Sequence, residues 1–137
     1  MGNYTALIVD DEEDIRFLVG SALKMLDFDI AGEASNGEEA TDKFRELTPD
    51  IVILDENMPD VKGSDFLSRI RGEYDNSCIV MLTASSDSFL LRKCMSLGIN
   101  HFMVKTTPFP ILIERIKHTW IDFLKKRDTQ IFRKRGR

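Results

Sequence analysis

Thr5-Ala6-Leu7-Ile8-Val9 is an unbroken apolar run that ends on two carboxylates, Asp10 and Asp11. It is short, β-branched and without polar alternation, which predicts a strand covered on both faces, as strands of parallel sheets are. Downstream, Ile15, Leu18, Val19, Ala22 and Leu26 recur at helical spacing with charges between them. Residues 28–34 read as a second strand, broken by Ser35-Asn36-Gly37, and Ala40, Phe44 and Leu47 stripe a second helix closed by Thr48-Pro49.

The same alternation continues. Ile51-Val52-Ile53-Leu54 is a third strand that stops at Asp55, and Met58-Pro59 and Gly63 mark a loop before a helix carrying Phe66, Leu67 and Ile70. Cys78 to Leu82 is a fourth strand. The next helix carries Leu90, Leu91, Cys94 and Leu97 and ends at Gly98, as a left-handed cap predicts. Ile99 to Val104 is a fifth strand ending at Lys105, and a last helix runs from near Pro108 or Pro110 to about Lys126. Five βα units imply an α/β fold: a doubly wound, five-stranded parallel sheet with helices on both faces. Its expected strand order is 2-1-3-4-5, with a ligand crevice at the carboxyl ends of strands 1 and 3.

Length and composition agree with one ordinary globular domain. The chain has 137 residues, 42% hydrophobic and 31% charged. Residues 5–126 form the expected domain, and 127–137 a basic tail or linker. Residues 125–137 hold seven basic side chains and one acidic, which leaves 12 basic and 22 acidic in residues 1–124, a net of −10. An acidic body of this kind argues against direct nucleic-acid binding. No apolar stretch approaches the roughly 20 residues needed to span a bilayer, and Met1-Gly2-Asn3-Tyr4 carries no secretory signal. Position 6 is Ala6, which sets aside myristoylation at Gly2. Cys78 and Cys94 lie in apolar surroundings, suit core packing and point to a reduced, cytoplasmic chain.

Polar residues collect at the strand ends. Asp10 and Asp11 follow strand 1, Asp55 follows strand 3, Thr83 and Ala84 follow strand 4, and Lys105 follows strand 5. Carboxylates brought together repel one another, and a hard divalent cation with oxygen ligands relieves that. With a lysine and a hydroxyl added, the set suits phosphoryl transfer, where positioning and charge neutralisation do most of the work. A carboxylate can itself be the nucleophile.

The motifs Leu7-Ile8-Val9-Asp10-Asp11, Asn36-Gly37-Glu38-Glu39-Ala40, Asp55-Glu56-Asn57-Met58-Pro59 with Gly63, Met81-Leu82-Thr83-Ala84 and Phe102-Met103-Val104-Lys105 occur in order. Over residues 5–126 the chain resembles a receiver domain of two-component response regulators, a flavodoxin-like, CheY-like fold. The resemblance implies that Asp55 is the phosphoacceptor and that Asp11 binds Mg²⁺ directly. Asp10 then acts through a metal-bound water, and the main-chain carbonyl of Asn57 is a further ligand. It implies that Thr83 and Lys105 hold phosphoryl oxygens and that Phe102 is the aromatic that turns inward with Thr83. Ala84 leaves room for the phosphoryl group, and Glu56, Asn57 and Ser85 border the approach of the hydrolytic water. The implied donor is a sensor histidine kinase or a histidine phosphotransfer protein, and the face made by helix 4, strand 5 and helix 5 is the implied dimer or effector contact. The chain would be either a stand-alone receiver or part of a longer regulator or hybrid kinase.

One departure stands at Lys105-Thr106-Thr107-Pro108-Phe109-Pro110, where Thr106 takes the place of the family's usual proline. A cis bond before a non-proline residue costs about 2.5–4 kcal/mol. A trans Lys105–Thr106 bond with a slightly displaced Lys105 is therefore expected.

Blander readings cover much else. Glu12, Glu13 and Asp14 read as a solvated acidic helix start. Thr83 alone would be a strand-end hydroxyl, Phe102 alone a core residue, and His101 and His118 surface or packing residues. Ile116, Trp120 and Phe123 read as a core stripe. A phosphatase of the haloacid-dehalogenase type also uses a nucleophilic Asp, but it needs a second Asp two residues later, where Asn57 stands. A flavodoxin-like electron carrier would need a Ser, Thr and Gly phosphate loop after strand 1, where five acidic residues stand instead.

Overall fold

The computed structural model describes residues 4–73 and 76–135, with side chains through Gln130. Met1-Gly2-Asn3, Arg137 and the side chains of Arg133, Lys134 and Arg135, on which the readings of the N-terminus and tail drew, lie outside that description. The elements are β1 (Thr5–Val9), α1 (Glu13–Met25), β2 (Asp29–Ala34), α2 (Gly37–Leu47), β3 (Ile51–Leu54), α3 (Gly63–Glu73), β4 (Cys78–Thr83), α4 (Ser88–Ser96), β5 (His101–Val104) and α5 (Phe109–Arg135). All strand pairs are parallel, in the order β2-β1-β3-β4-β5. The expected five βα units and strand order are both present.

The period of two along the central strands sorts their side chains into two cores, one on each sheet face. Ala6, Ile8, Ile51, Ile53, Cys78, Val80 and Leu82 pack with α1 and α5 through Val19, Leu23, Leu112 and Ile116. Leu7, Val9, Val52, Leu54, Ile79 and Met81 pack on the other face with Phe44, Phe66, Leu67 and Cys94. Cys78 and Cys94 are thus free, buried and in different cores. Each acts as the small hydrophobe the sequence suggested.

Trp120 lies in the α1/α5 core with its ring edge-on to Tyr4 at 4.9 Å and to Phe28 at 5.1 Å, and stacked on Phe123 at 5.4 Å. The core-stripe reading of Ile116, Trp120 and Phe123 holds. Gly98 sits at φ 85°, the left-handed conformation predicted for the end of α4.

Five details differ. Phe28 precedes β2 and is a core residue, 4% exposed. β4 reaches Thr83, so that residue closes the strand rather than following it. Leu91 turns outward from the expected stripe of α4, and β5 begins at His101 rather than Ile99. The largest difference is α5, which runs on to Arg135 instead of ending near Lys126. The composition changes at Lys125, but no Gly or Pro follows Pro110 until Gly136, so nothing in the chain stops the helix. At 1.5 Å per residue, its 27 residues extend about 40 Å. Among the described residues no helix is long and apolar enough to cross a membrane.

Candidate functional site

The site is built one rung beyond the strands. Past the end of β1, the Asp10 amide donates to Ala34 O of β2; past β3, the Asp55 amide donates to Val9 O of β1; past β5, the Lys105 amide donates to Thr83 O of β4. The sheet's ladder therefore fixes the main chain of all three functional residues before any side-chain contact is made. Parallel pairing brings these ends to one edge, and Asp10 and Asp55 are each only 2% exposed there.

Asp10, Asp11 and Asp55 each offer a carboxylate oxygen within 4.8 Å of the others, with Asp11 open to solvent. Lys105 Nζ stands 3.0 Å from Asp10 Oδ2, 3.2 Å from Asp55 Oδ2 and 2.6 Å from Glu12 Oε2. One ammonium thus faces more carboxylate charge than it can neutralise. Burial and the neighbouring Asp10 charge push the Asp55 carboxyl up to about 6, against the pull of Lys105 and the Asn57 amide. Burial likewise raises Asp10. At Lys105 burial opposes the charge, but its bonds to Glu12 and Asp10 and the Asp55 charge outweigh it and hold the ammonium protonated.

Two polar atoms of the site are sealed from solvent with no partner among the described residues: Asp55 Oδ1 and Thr83 Oγ1. Buried polar atoms are rarely left that way, and an unmet acceptor costs about 1–3 kcal/mol. An all-oxygen donor set, excess negative charge and an unmet carboxylate oxygen together fit a hard divalent cation such as Mg²⁺.

The other expected residues are placed as follows. Ala84 and Ser85 lie exposed just past β4. Phe102 is half-buried against the second core. The Asn57 side chain is turned to Lys62, whose ammonium donates to Asn57 Oδ1 at 3.1 Å. Glu56 does not match its expected place beside a hydrolytic water: its carboxylate accepts from Ser64 N at 2.7 Å and Ser64 Oγ at 3.2 Å, capping α3. The Lys105–Thr106 bond is trans, as expected, and no described peptide bond is cis. Leu112 and Ile116 of α5 are buried.

Two contributors escaped the sequence reading. Glu12 is no bystander in a solvated run but the shortest partner of Lys105. Asp60 accepts from Gly37 N at 2.7 Å and Glu38 N at 3.0 Å, tying the loop after β3 to the start of α2. Glu12 carried only a weak signal, its place two residues past Asp10, in a run where Glu13 and Asp14 look the same. Asp60 carried none without the fold.

Gly63 admits the loop after Asp55 to this packing. A Cβ there would fall 2.2 Å from Asp55 O and 2.9 Å from Glu56 Cα, both main-chain atoms that cannot rotate away. Gly63→Ala is therefore expected to cost about 2 kcal/mol of stability by overpacking, read as a lower urea midpoint at unchanged slope. It is also expected to slow any reaction at Asp55. An unchanged midpoint would mean the loop has slack the structure does not reveal.

Comparison with known proteins agrees with this geometry. The family model described as "Response regulator receiver domain" matches residues 6–117. The chemotaxis protein CheY of Thermotoga maritima is 34% identical over 99 residues, covering 72% of this chain and 82% of that protein. The response regulator protein VraR of Staphylococcus saprophyticus is 30% identical over 115 residues, covering 83% of this chain but only 55% of that protein. Among solved structures, a CheX-CheY-BeF3-Mg²⁺ complex from Borrelia burgdorferi superposes with a TM-score of 0.81 at 28% identity, over 85% of this chain and 89% of that one. Built on this sheet order, with the Asp10, Asp11 and Asp55 pocket at its carboxyl edge, the chain belongs to the CheY-like response regulator receiver domains of two-component signalling.

Proposed function

We propose that the chain is a phosphorylation-driven switch in which Asp55 takes a phosphoryl group from a phosphohistidine donor. The observation that carries this reading is Asp55 itself: a buried carboxylate with Lys105 at one oxygen and, among the described residues, no partner at the other. A carboxylate oxygen of Asp55 attacks phosphorus in line with the histidine ring nitrogen. The P–N bond breaks as the P–O bond forms, and the nitrogen leaves with the electron pair. Lys105 offsets charge on the transferring oxygens from the moment they approach.

Asp10, Asp11, Asp55 and the main-chain carbonyl of Asn57 would hold Mg²⁺, which when bound supplies the positive charge these carboxylates and a phosphoryl group lack. Thr83 brings a hydroxyl with no present partner, suited to bond a phosphoryl oxygen. Its movement couples to Phe102, half-buried on the neighbouring strand, where Phe102 pairs with Met81 and Thr83 with Val104. Ala84 and Ser85 border the group on the open side. Water attack on the aspartyl phosphate resets the switch, so the chain turns over only its own phosphoryl group. A haloacid-dehalogenase-type reaction lacks its acid, because Asn57 cannot protonate a leaving group.

The partners in this reading are a sensor histidine kinase or a histidine phosphotransfer protein, in the cytoplasm. The face of α4, β5 and α5 carries exposed Phe89, Met95 and Ile111, apolar surface suited to a second copy or an effector. No direct nucleic-acid contact is part of it. Residues 5–126 form the receiver, and the basic continuation of α5 leads away from it.

The test is to add acetyl phosphate and Mg²⁺ and weigh the intact protein. One added phosphoryl group is expected, and no gain under any donor concentration overturns the reading. Lys105→Gln keeps the acceptor but removes the ammonium, and is expected to slow the gain about 100-fold. A Lys105→Gln rate within a few-fold of wild type would remove Lys105 from the chemistry.

A further inference from the structure

Lys105 has three carboxylate partners, and they are not equal. Asp10 and Asp55 are buried and stand at 3.0 and 3.2 Å, whereas Glu12, more than half exposed, takes the ammonium at 2.6 Å. The Glu12 amide in turn donates to Asp10 Oδ1 at 2.9 Å, so the same short turn fixes Glu12 relative to the pocket. The Lys105 main chain is tied through its amide to Thr83 O at 2.7 Å. The ammonium at the end of its four-carbon stem is held by these carboxylates, and the shortest contact lies on the solvent side.

A donor reaching Asp55 must meet that arrangement. Asp55 is 2% exposed, and Lys105, itself 11% exposed in its side chain, is in contact with it. Three phosphoryl oxygens arriving at Asp55 need the ammonium turned toward them. It cannot hold its present contact with Glu12 and give its full set of donors to the phosphoryl group. Glu12 and the phosphoryl oxygens are rival acceptors for one cation.

Resting on the reading of Asp55 as phosphoacceptor, we propose that Glu12 is a positioning residue that anchors Lys105 at the mouth of the pocket and slows phosphorylation by competing for its ammonium. A partly exposed ion pair of this kind is weak, so its effect on the rate is several-fold rather than a switch between on and off. Its place two residues from Asp10 makes it a rate-setting device that leaves the acceptor and the cation-binding carboxylates intact.

The experiment measures the rate of mass gain from acetyl phosphate at saturating Mg²⁺. Glu12→Gln keeps the shape and removes the charge, and is expected to raise the rate about fourfold. Glu12→Asp restores the charge on a shorter arm and is expected to return the rate most of the way to wild type, the opposite of what a role in packing would give. Glu13→Gln removes the neighbouring exposed charge at the first residue of α1 and is expected to change the rate less than twofold. In a Lys105→Gln background, Glu12→Gln is expected to do nothing. The proposal is overturned by an unchanged or slower Glu12→Gln rate, by an equal gain in Glu13→Gln, or by a gain that persists without Lys105. A wild-type protein that takes no phosphoryl group fails the functional reading instead, which keeps the two failures apart.

Discussion

Asp55→Asn will fold, and incubation with acetyl phosphate and Mg²⁺ will add no phosphoryl group to it. The expectation is loss of the reaction rather than a reduced rate, because of how the buried carboxylates are occupied. Asp10 lies as deep as Asp55, yet both of its oxygens are engaged: Oδ1 accepts from the Glu12 amide, and Oδ2 lies 3.0 Å from Lys105. Asp11 is open to water. Among the described residues, Asp55 alone of the three pairs an unmet oxygen with a cation at its other oxygen. An amide in its place presents a poor nucleophile of the same shape, so sheet, loop and α3 cap should persist. The companion variant Asp10→Asn should still gain the group, at a much reduced rate, since it loses only charge near the acceptor. Intact mass resolves one phosphoryl group on this chain, and peptide mapping places it. A group found on Asp10 or Asp11 of the Asp55→Asn protein would show that the pocket has no unique acceptor.

The sequence was most informative where one periodicity decided the outcome. Ile51 to Leu54 and Cys78 to Leu82 are too apolar to be anything but covered strands, and their order fixed where Asp55 and Thr83 would stand. Parallel topology then brought residues as distant as Asp10 and Lys105 to one edge without any local signal linking them. The side chains were less legible. Glu12 looks like its neighbours Glu13 and Asp14 in any local reading, and only the position of Lys105, set by a strand on the far side of the sheet, singles it out. Glu56 seemed placed to border a water, but Ser64 at the start of α3 offers its carboxylate a main-chain amide and a hydroxyl at once. The end of α5 was missed for another reason. Composition marks where a chain changes its partners, while a helix stops only where a breaker or a cap stops it.

The charge that makes Asp55 reactive also strains the pocket whenever no cation is bound, and this should be measurable as stability. In a chelator at pH 7.5, Asp55→Asn is expected to be more stable than wild type by about 3 kcal/mol. The figure follows from an Asp55 carboxyl raised from 3.8 to about 6 by burial and by Asp10, at 1.36 kcal/mol for each tenfold change in proton affinity. The sign follows from which state binds the proton first. Between pH 6 and 4 the native carboxyl is largely protonated while the unfolded one is largely ionised, so the native state binds more protons and wild-type stability rises as pH falls through that window. Below about 4 both states are protonated and the advantage of Asn vanishes; above 6 both are ionised and the full penalty stands. Because Asp55 is almost fully enclosed, little solvent screening reduces this. Mg²⁺ should close the gap at pH 7.5 from the wild-type side, since a ligand that binds only the native state stabilises it in proportion to the logarithm of its concentration over its dissociation constant. Urea melts of both proteins at pH 4, 6 and 7.5, with and without Mg²⁺, test all of this. A gap that does not change with pH would mean that Asp55 is ionised without penalty, and the case for a cation resting on charge crowding would fall with it.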